Sequence, residues 1–410
     1  MEPILTIGII IFSGFVAGEL CTTIRLPKVT GYILAGLILN PELTHFIPAS
    51  FVEHTSLVTN IAISFITFSV GGTLFFPKVR SLGKSIIFIT LCEAELAFLC
   101  VGTFFLILAP LLVPMAGLTY AGYFIPLALL LAALAAPTDP SATLAIMHQY
   151  QARGPVTSTI MGVAAFDDIL GIINYSLAVS IASFCMLNKS LEIYTLAQPF
   201  INILGSVVGG CIFGLFLNFL TKIVKRETEG VLITLIIGLL SLCYGVAGLL
   251  GVDELLSTMT MGIVVVNYNI KKEEIFRLLE RYTEELIFVL FFTISAMHLD
   301  FSVMAANYPF ILIFIVFRAV GKFSGAIVGG KLSKSSVAVQ KYTGGGLIPQ
   351  GGIVIGLALI LKQQPAFASI ADIVLNVIIG TTIIHEIIGP IVSKFALEKS
   401  GEIAKVPHSH

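Results

Sequence analysis

Charge is scarce in this sequence. Of 410 residues, 11% are Asp, Glu, Lys or Arg and 57% are apolar, where a soluble domain carries roughly 25% charged residues. A mean hydropathy of +1.00 over that length excludes a water-soluble fold. Long polar stretches are lacking too, so no soluble domain is hidden between the apolar runs; the longest connections, such as 41–53 and 269–280, are short. No CxxC spacing links Cys21, Cys92, Cys100, Cys185, Cys211 and Cys243. That argues against zinc or dithiol chemistry and leaves small buried hydrophobes in or beside apolar segments. The opening MEPILTIGIIIF has no basic n-region and no small-residue cleavage site, so it reads as a first spanning helix rather than a signal peptide. A net charge of −1 gives no sign of a nucleic-acid partner, and no cofactor motif is visible.

What is present is a series of apolar runs near the length that spans a bilayer as a helix. Thirteen can be delimited: 3–24, 28–40, 54–76, 83–108, 121–148, 155–184, 200–222, 230–250, 252–269, 281–298, 307–330, 342–361 and 367–393. The expected architecture is an all-α polytopic membrane protein with one transport domain over 1–396 and a polar tail over 397–410. The basic residues set its orientation. Junctions after odd-numbered segments, together with the tail, hold 19 of the 23 Lys and Arg; the opposite side holds Lys189 and Lys362, and Arg318 and Lys322 fall inside a segment. The expected orientation therefore puts the N-terminus outside, the C-terminus in the cytoplasm and the chain in the plasma (inner) membrane. An odd count suggests two six-helix halves joined by a linker helix over 200–222. The halves would then be inverted repeats, an arrangement that places a site at the repeat interface.

Ionisable groups inside lipid are costly, and each is a functional hypothesis with a partner to be named. Segment 5, LALLLAALAAPTDPSATLAIM, brackets Thr138 and Asp139 between Pro137 and Pro140. Proline removes a donor and clashes with the preceding turn, so the helix should break there, with Asp139 capping the second half. Segment 6 carries Asp167 and Asp168 near its middle. Two adjacent carboxylates in a low-dielectric site cannot both stay charged without a cation or a basic partner. Their oxygens can hold a proton or a cation, but not both well, which is the physical basis of exchange. Segment 11 places Arg318 and Lys322 four residues apart, on one helix face. Segment 4 offers Glu93 and Glu95 as acids; pairings of Lys322 with Asp167 and of Arg318 with Glu93 follow as expectations, with packing support or snorkelling as the alternative for Arg318, Glu93 and Glu95. Segment 12, KYTGGGLIPQGGIVIGLALI, breaks at Gln350, Gly351 and Gly352, matching the break in segment 5; paired interruptions in corresponding positions point to a transporter site. Asp372 and Glu386 read as residues near membrane ends, and His385 gives only a weak hint of pH response. His298 and Asp300 read as mouth or capping residues.

These elements resemble the bacterial monovalent cation:proton antiporters, in particular the cation:proton antiporter-2 branch. The carriers are GYILAGLILNP at 31–41, APTDPSATLA at 136–145, FDDILGI at 166–172, FRAVGKFSGA at 317–326 and PQGGIVIGLAL at 349–359. The resemblance spans nearly the whole chain. It implies thirteen helices in two inverted repeats with crossed, broken helices. A core over 83–184 and 307–393 would move against a dimer side over 3–76 and 230–298, giving a homodimer. It also implies that Asp168 is the main ion- and proton-binding carboxylate, that Asp167 is its partner paired with Lys322, and that Thr138 and Asp139 form the crossing-point motif. Sodium is the leading ion, with lithium or potassium as alternatives, and the cation would be held at Asp168 and Asp167. Two acids with a lysine imply electrogenic exchange of two protons per sodium ion. Arg318 argues the other way, since electroneutral relatives pair an arginine in this helix with a glutamate. Some relatives carry a nucleotide-binding regulatory domain; no GxGxxG after a strand occurs here.

Other readings fit less well. An intramembrane aspartyl protease needs YD and GxGD motifs, and neither occurs. An ion channel needs a repeated or symmetric filter. A sodium-coupled solute symporter would lack the paired aspartates. The expectation is a transporter and not an enzyme.

Overall fold

The structure is a computed structural model. It describes residues 3–23, 28–77, 83–112, 119–139, 143, 146–147, 150, 152–164, 166–186, 193–223, 229–282, 284–351 and 353–403. Pro140 and Gly352, both expected at the site, lie outside the described residues, as does the link through which Asp139 was expected to cap a second half-helix.

Each of the thirteen apolar segments contains helix. The long ones are α1 (Pro3–Thr23), α2 (Lys28–Ile38), α3 (Ser56–Thr73) and α4 (Lys84–Leu112). Next come α5 (Ile125–Ala133), entered through a π turn, α6 (Pro155–Ala164) and α7 (Asp167–Met186). Then follow α8 (Ile193–Ile223), α9 (Glu229–Leu250), α10 (Glu254–Tyr268), α11 (Lys272–Tyr282) and α12 (Glu284–Met297). The chain ends with α13 (Tyr308–Leu332), α14 (Val337–Tyr342), α15 (Ile353–Gln363) and α16 (Ala371–Ser400). Among the described residues, eight spans are long and apolar enough to cross a membrane. Exposed Phe12, Leu204, Leu242 and Leu312 coat their outer faces, a pattern that suits lipid and not water.

Three details depart from the sequence reading. The connection 269–280 is not a plain loop: α11 fills it, burying Ile275, Leu278 and Leu279 and exposing Glu273, Arg277 and Glu280. A short amphipathic stripe lacks the length of a spanning run, which is why hydropathy passed over it. Segment 6 is not one helix, since α6 ends at Ala164 and α7 begins at Asp167 with Phe166 in a turn. The polar tail expected from Leu397 is helical to Ser400, and Leu397 and Ile403 are buried. Just beyond, the Glu402 carboxylate accepts hydrogen bonds from Val156 N (2.7 Å), Thr157 N (2.7 Å) and Thr157 Oγ1 (2.6 Å), so it caps α6.

Among the described residues, the most extensive helix packing is that of α4 with α13. Gly321, Gly325 and Gly329 recur every fourth residue on α13, and a Cβ on any of them would overlap the backbone near Ala97, Glu93 and Phe88–Ile89. Small residues at this spacing let helix backbones approach closely in lipid, where apolar burial supplies little driving force. The approach sets the α13 cations against the α4 acid.

Candidate functional site

Two helices stop in mid-structure and their extended ends cross. Helix α5 ends at Ala133, and the chain passes through Leu134–Asp139. On the other side α14 tightens into a 3-10 turn over Thr343–Leu347 before residues 348–351. Thr138 and Gln350 form an antiparallel bridge. Asp139 N donates to Pro349 O (3.2 Å) and Gly351 N to Pro137 O (3.3 Å). The prolines and glycines that made continuous helix unfavourable thus supply the break on both strands.

Ending a helix orphans its last carbonyls and gathers negative dipole there. Two helix ends meet at this crossing, and α13 answers both. Arg318 is wholly buried. It donates from Nε to Ala135 O (3.0 Å), from Nη1 to Ile348 O (2.6 Å), and from Nη2 to Pro137 O (2.9 Å) and Pro349 O (3.3 Å). The rigid fork of a guanidinium suits four carbonyls from two strands in a way that an ammonium does not. This corrects the expected Arg318–Glu93 pair: Arg318 clasps the backbone, and Glu93 goes to Lys322.

Lys322, one turn further on and equally buried, is the polar hub. Its Nζ lies 2.6 Å from Glu93 Oε2 and 3.2 Å from Asp167 Oδ2. It donates to Thr138 Oγ1 (2.8 Å) and to Ala136 O. The expected Lys322–Asp167 pair is present, with Glu93 as a second anionic partner. An ammonium has three protons, so four acceptors compete for it. One cation between two fully buried carboxylates also leaves the cluster short of positive charge.

The adjacent aspartates face different surroundings. Asp167 is fully buried against Lys322, whereas Asp168 is partly exposed. Asp168, Asp139, Thr138 and Gly351 line the inner end of a cavity of about 520 Å³, whose wall continues past Ser69 and Thr73 of α3 to Glu280 of α11. Asp168 Oδ1 and Asp167 Oδ1 have no hydrogen-bond partner among the described residues. The site therefore offers one carboxylate to the cavity and holds its neighbour behind, on a lysine.

Sequence reasoning misplaced one acid. Glu386 lies mid-way along α16 and not at a helix end: it is fully buried, within hydrogen-bonding reach of the Asp139 side chain and 3.5 Å from Thr30 Oγ1. Its position in a 30-residue helix that continues beyond the apolar run was the missing information. His385 pairs through Nδ1 with Gln350 Oε1 at 2.7 Å. Asp372 is exposed and bonded to Lys362 (2.9 Å), and Glu95 accepts from Asn174 (3.2 Å), both supporting roles. Asp300 caps the helix Phe301–Ala306 through Val303 N (2.8 Å), and its hydrogen bonds to Ser302 and Val303 hold its carboxyl below the usual range.

Several known proteins are similar to this chain. The chain is 23% identical over 377 residues to the Na(+)/H(+)-K(+) antiporter GerN of Bacillus cereus, covering 90% of this chain and 92% of that one. It is 24% identical over 248 residues to a Na(+)/H(+) antiporter of Enterococcus hirae, covering 59% and 62%. The sodium proton antiporter MjNhaP1 of Methanocaldococcus jannaschii, solved at pH 8, superposes with a TM-score of 0.76 at 18% identity, over 97% of this chain and 98% of that one. The likeness establishes a shared fold. A family model for the transmembrane sodium/hydrogen exchangers matches residues 7–399, and the chain accordingly belongs to the sodium/hydrogen exchanger transmembrane family.

Proposed function

We propose that this protein exchanges a monovalent cation, sodium foremost, for protons by alternating access, with Asp168 as the carboxylate that carries either. The observation that carries the reading is the asymmetry of the aspartate pair: Asp168 looks into the cavity while Asp167 sits wholly buried on Lys322. A carboxylate in a low-dielectric cavity needs a positive charge and accepts it as a proton or a small cation. Among the described residues no group of three or more His, Cys, Asp or Glu is poised to hold a metal ion. The cargo would complete its oxygen shell from Asp168, Thr138, Asp139 and water.

Lys322 gives the reading its charge coupling. With the cation at Asp168, Lys322 pairs with Asp167 and Glu93. One proton replacing the cation at Asp168 alone would be electroneutral; a second proton, taken up by the cluster of Asp167, Glu93 and Lys322 as the cation leaves, makes the exchange electrogenic, with two protons per cation. The carbonyl clasp made by Arg318 takes that residue out of the titrating set and removes the sequence-level argument for electroneutrality. The basic faces, with Lys271, Lys272 and Arg277, would lie in the cytoplasm, so the cavity opens inward. A homodimer formed through α1–α3 and α9–α12, with the crossing bundle as the moving core, completes the reading.

The test is flux in proteoliposomes with sodium, lithium and potassium, with and without a clamped voltage. Wild type should show saturable cation-driven proton movement, and Asp168→Asn should abolish it. Near-normal exchange by that variant would remove Asp168 from the role. Potassium-only exchange would keep the mechanism and change the ion.

A further inference from the structure

Behind the crossing lies a buried acid, Glu386, that the aspartate site does not account for, next to Asp139, which that site shares. Glu386 of α16 and Asp139 of the α5 break approach within hydrogen-bonding reach, and Asp139 also lines the cavity that leads to Asp168. Glu386 is 0% exposed, and its Oε1 has no hydrogen-bond partner among the described residues. Its other oxygen accepts from the Thr30 hydroxyl at 3.5 Å. The remaining polar neighbours do not neutralise it. Arg318 lies in electrostatic reach, but its hydrogen bonds go to four backbone carbonyls. Lys322 is held by Glu93, Asp167 and Thr138. His385 is bound to Gln350.

A fully buried carboxyl with an unpartnered oxygen, set against a second carboxyl, is costly as an anion in low dielectric, so Glu386 favours sharing a positive charge with Asp139. Thr30 adds a geometric fact. It lies on α2, so the Glu386 contact joins the α16 bundle to a helix on the opposite wall of the cavity. We propose that Glu386 and Asp139 form a second station for one monovalent positive charge, a proton or the transported cation, next to the Asp168 site and across the surface along which the two parts of the molecule would slide. The proposal rests on the exchange reading above.

Glu386→Gln keeps the shape and removes the charge. Full-length wild type and variant are compared in two measurements: sodium binding to purified protein at alkaline pH, where protons compete least, and the proton-to-ion ratio from the reversal voltage in proteoliposomes. If the station holds the cation, sodium affinity falls about tenfold, the range for losing a charged hydrogen-bonding partner. If it holds a proton, affinity at alkaline pH is unchanged and the ratio falls by one proton per ion. Unchanged affinity and unchanged ratio overturn the proposal. Should the Gln variant not fold, Glu386→Asp serves: withdrawing the carboxylate by one methylene should move the same readout, and an unaltered result is again fatal. If wild type itself shows no exchange, the broader functional reading fails instead, and the two failures are told apart.

Discussion

At the scale of single residues, two buried cations four positions apart on one helix do different work. Arg318 holds carbonyls; Lys322 holds carboxylates. Replacing Lys322 with Ala leaves Glu93 and Asp167 buried without their shared cation, and breaking such a cluster costs about 3–5 kcal/mol. The expected result is a lower unfolding temperature in detergent and a weaker dependence of transport on voltage. An unchanged voltage response would separate Lys322 from the coupling. Arg318→Lys tests the other role. A lysine cannot reproduce a planar fork that reaches both strands, so this variant should lose stability although it keeps the charge. A variant as stable as wild type would show that charge alone holds the crossing. The residue types at the site were legible in the sequence because ionisable groups in apolar runs stand out. Their pairing was not, since Glu93 lies within reach of either α13 cation until the register of α4 on α13 is known.

At the scale of elements, that register is set by glycine. Gly321, Gly325 and Gly329 bring α13 against the backbone of α4, and the repeat was present in the sequence as GKFSGAIVG at 321–329. Gly325→Val should force the helices apart at Glu93. Overpacking typically costs about 1–3 kcal/mol, and here it would also lengthen the Lys322–Glu93 contact, so stability and exchange should fall together. Full activity in this variant would deny the close approach its importance. At the C-terminal end, Glu402→Ala removes three hydrogen bonds at the start of α6, and the loss of a cap is worth about 1 kcal/mol. Amide exchange of Val156 and Thr157 should rise, and equal protection in the two proteins would count against the cap. This contact was out of reach of sequence reasoning, because it joins residues about 245 positions apart through a turn that polarity alone marks as tail. The two broken elements, by contrast, were readable from their prolines and glycines. The interruption before Asp167 was not, because FDD contains no breaker.

At the scale of the whole molecule, apolar run lengths and the one-sided placement of lysine and arginine were enough to count the segments and to pair segment 5 with segment 12. Sequence could not provide the cavity, which is assembled from α2, α3, α11 and α12 as well as the crossing. On the exchange reading, a cysteine introduced at Ser69 in a background without the six native cysteines should react with a membrane-impermeant thiol reagent added on the side of Lys271. It should stay protected from the opposite side. Labelling from the opposite side alone would reverse the orientation of the cavity.

The clasp at the crossing has one more consequence, for ion choice. The carbonyls of Ala135, Ala136, Pro137, Ile348 and Pro349 all accept hydrogen bonds from Arg318 or Lys322. The backbone there is already occupied by resident charge, so it does not form the rigid ring of carbonyl oxygens that sieves ions by size in selective pores. An arriving ion meets carboxylates, hydroxyls and water, which adapt their distances to it. Discrimination among lithium, sodium and potassium should then follow the cost of stripping water from each ion, and should soften when Thr138 is replaced by a smaller hydroxyl residue.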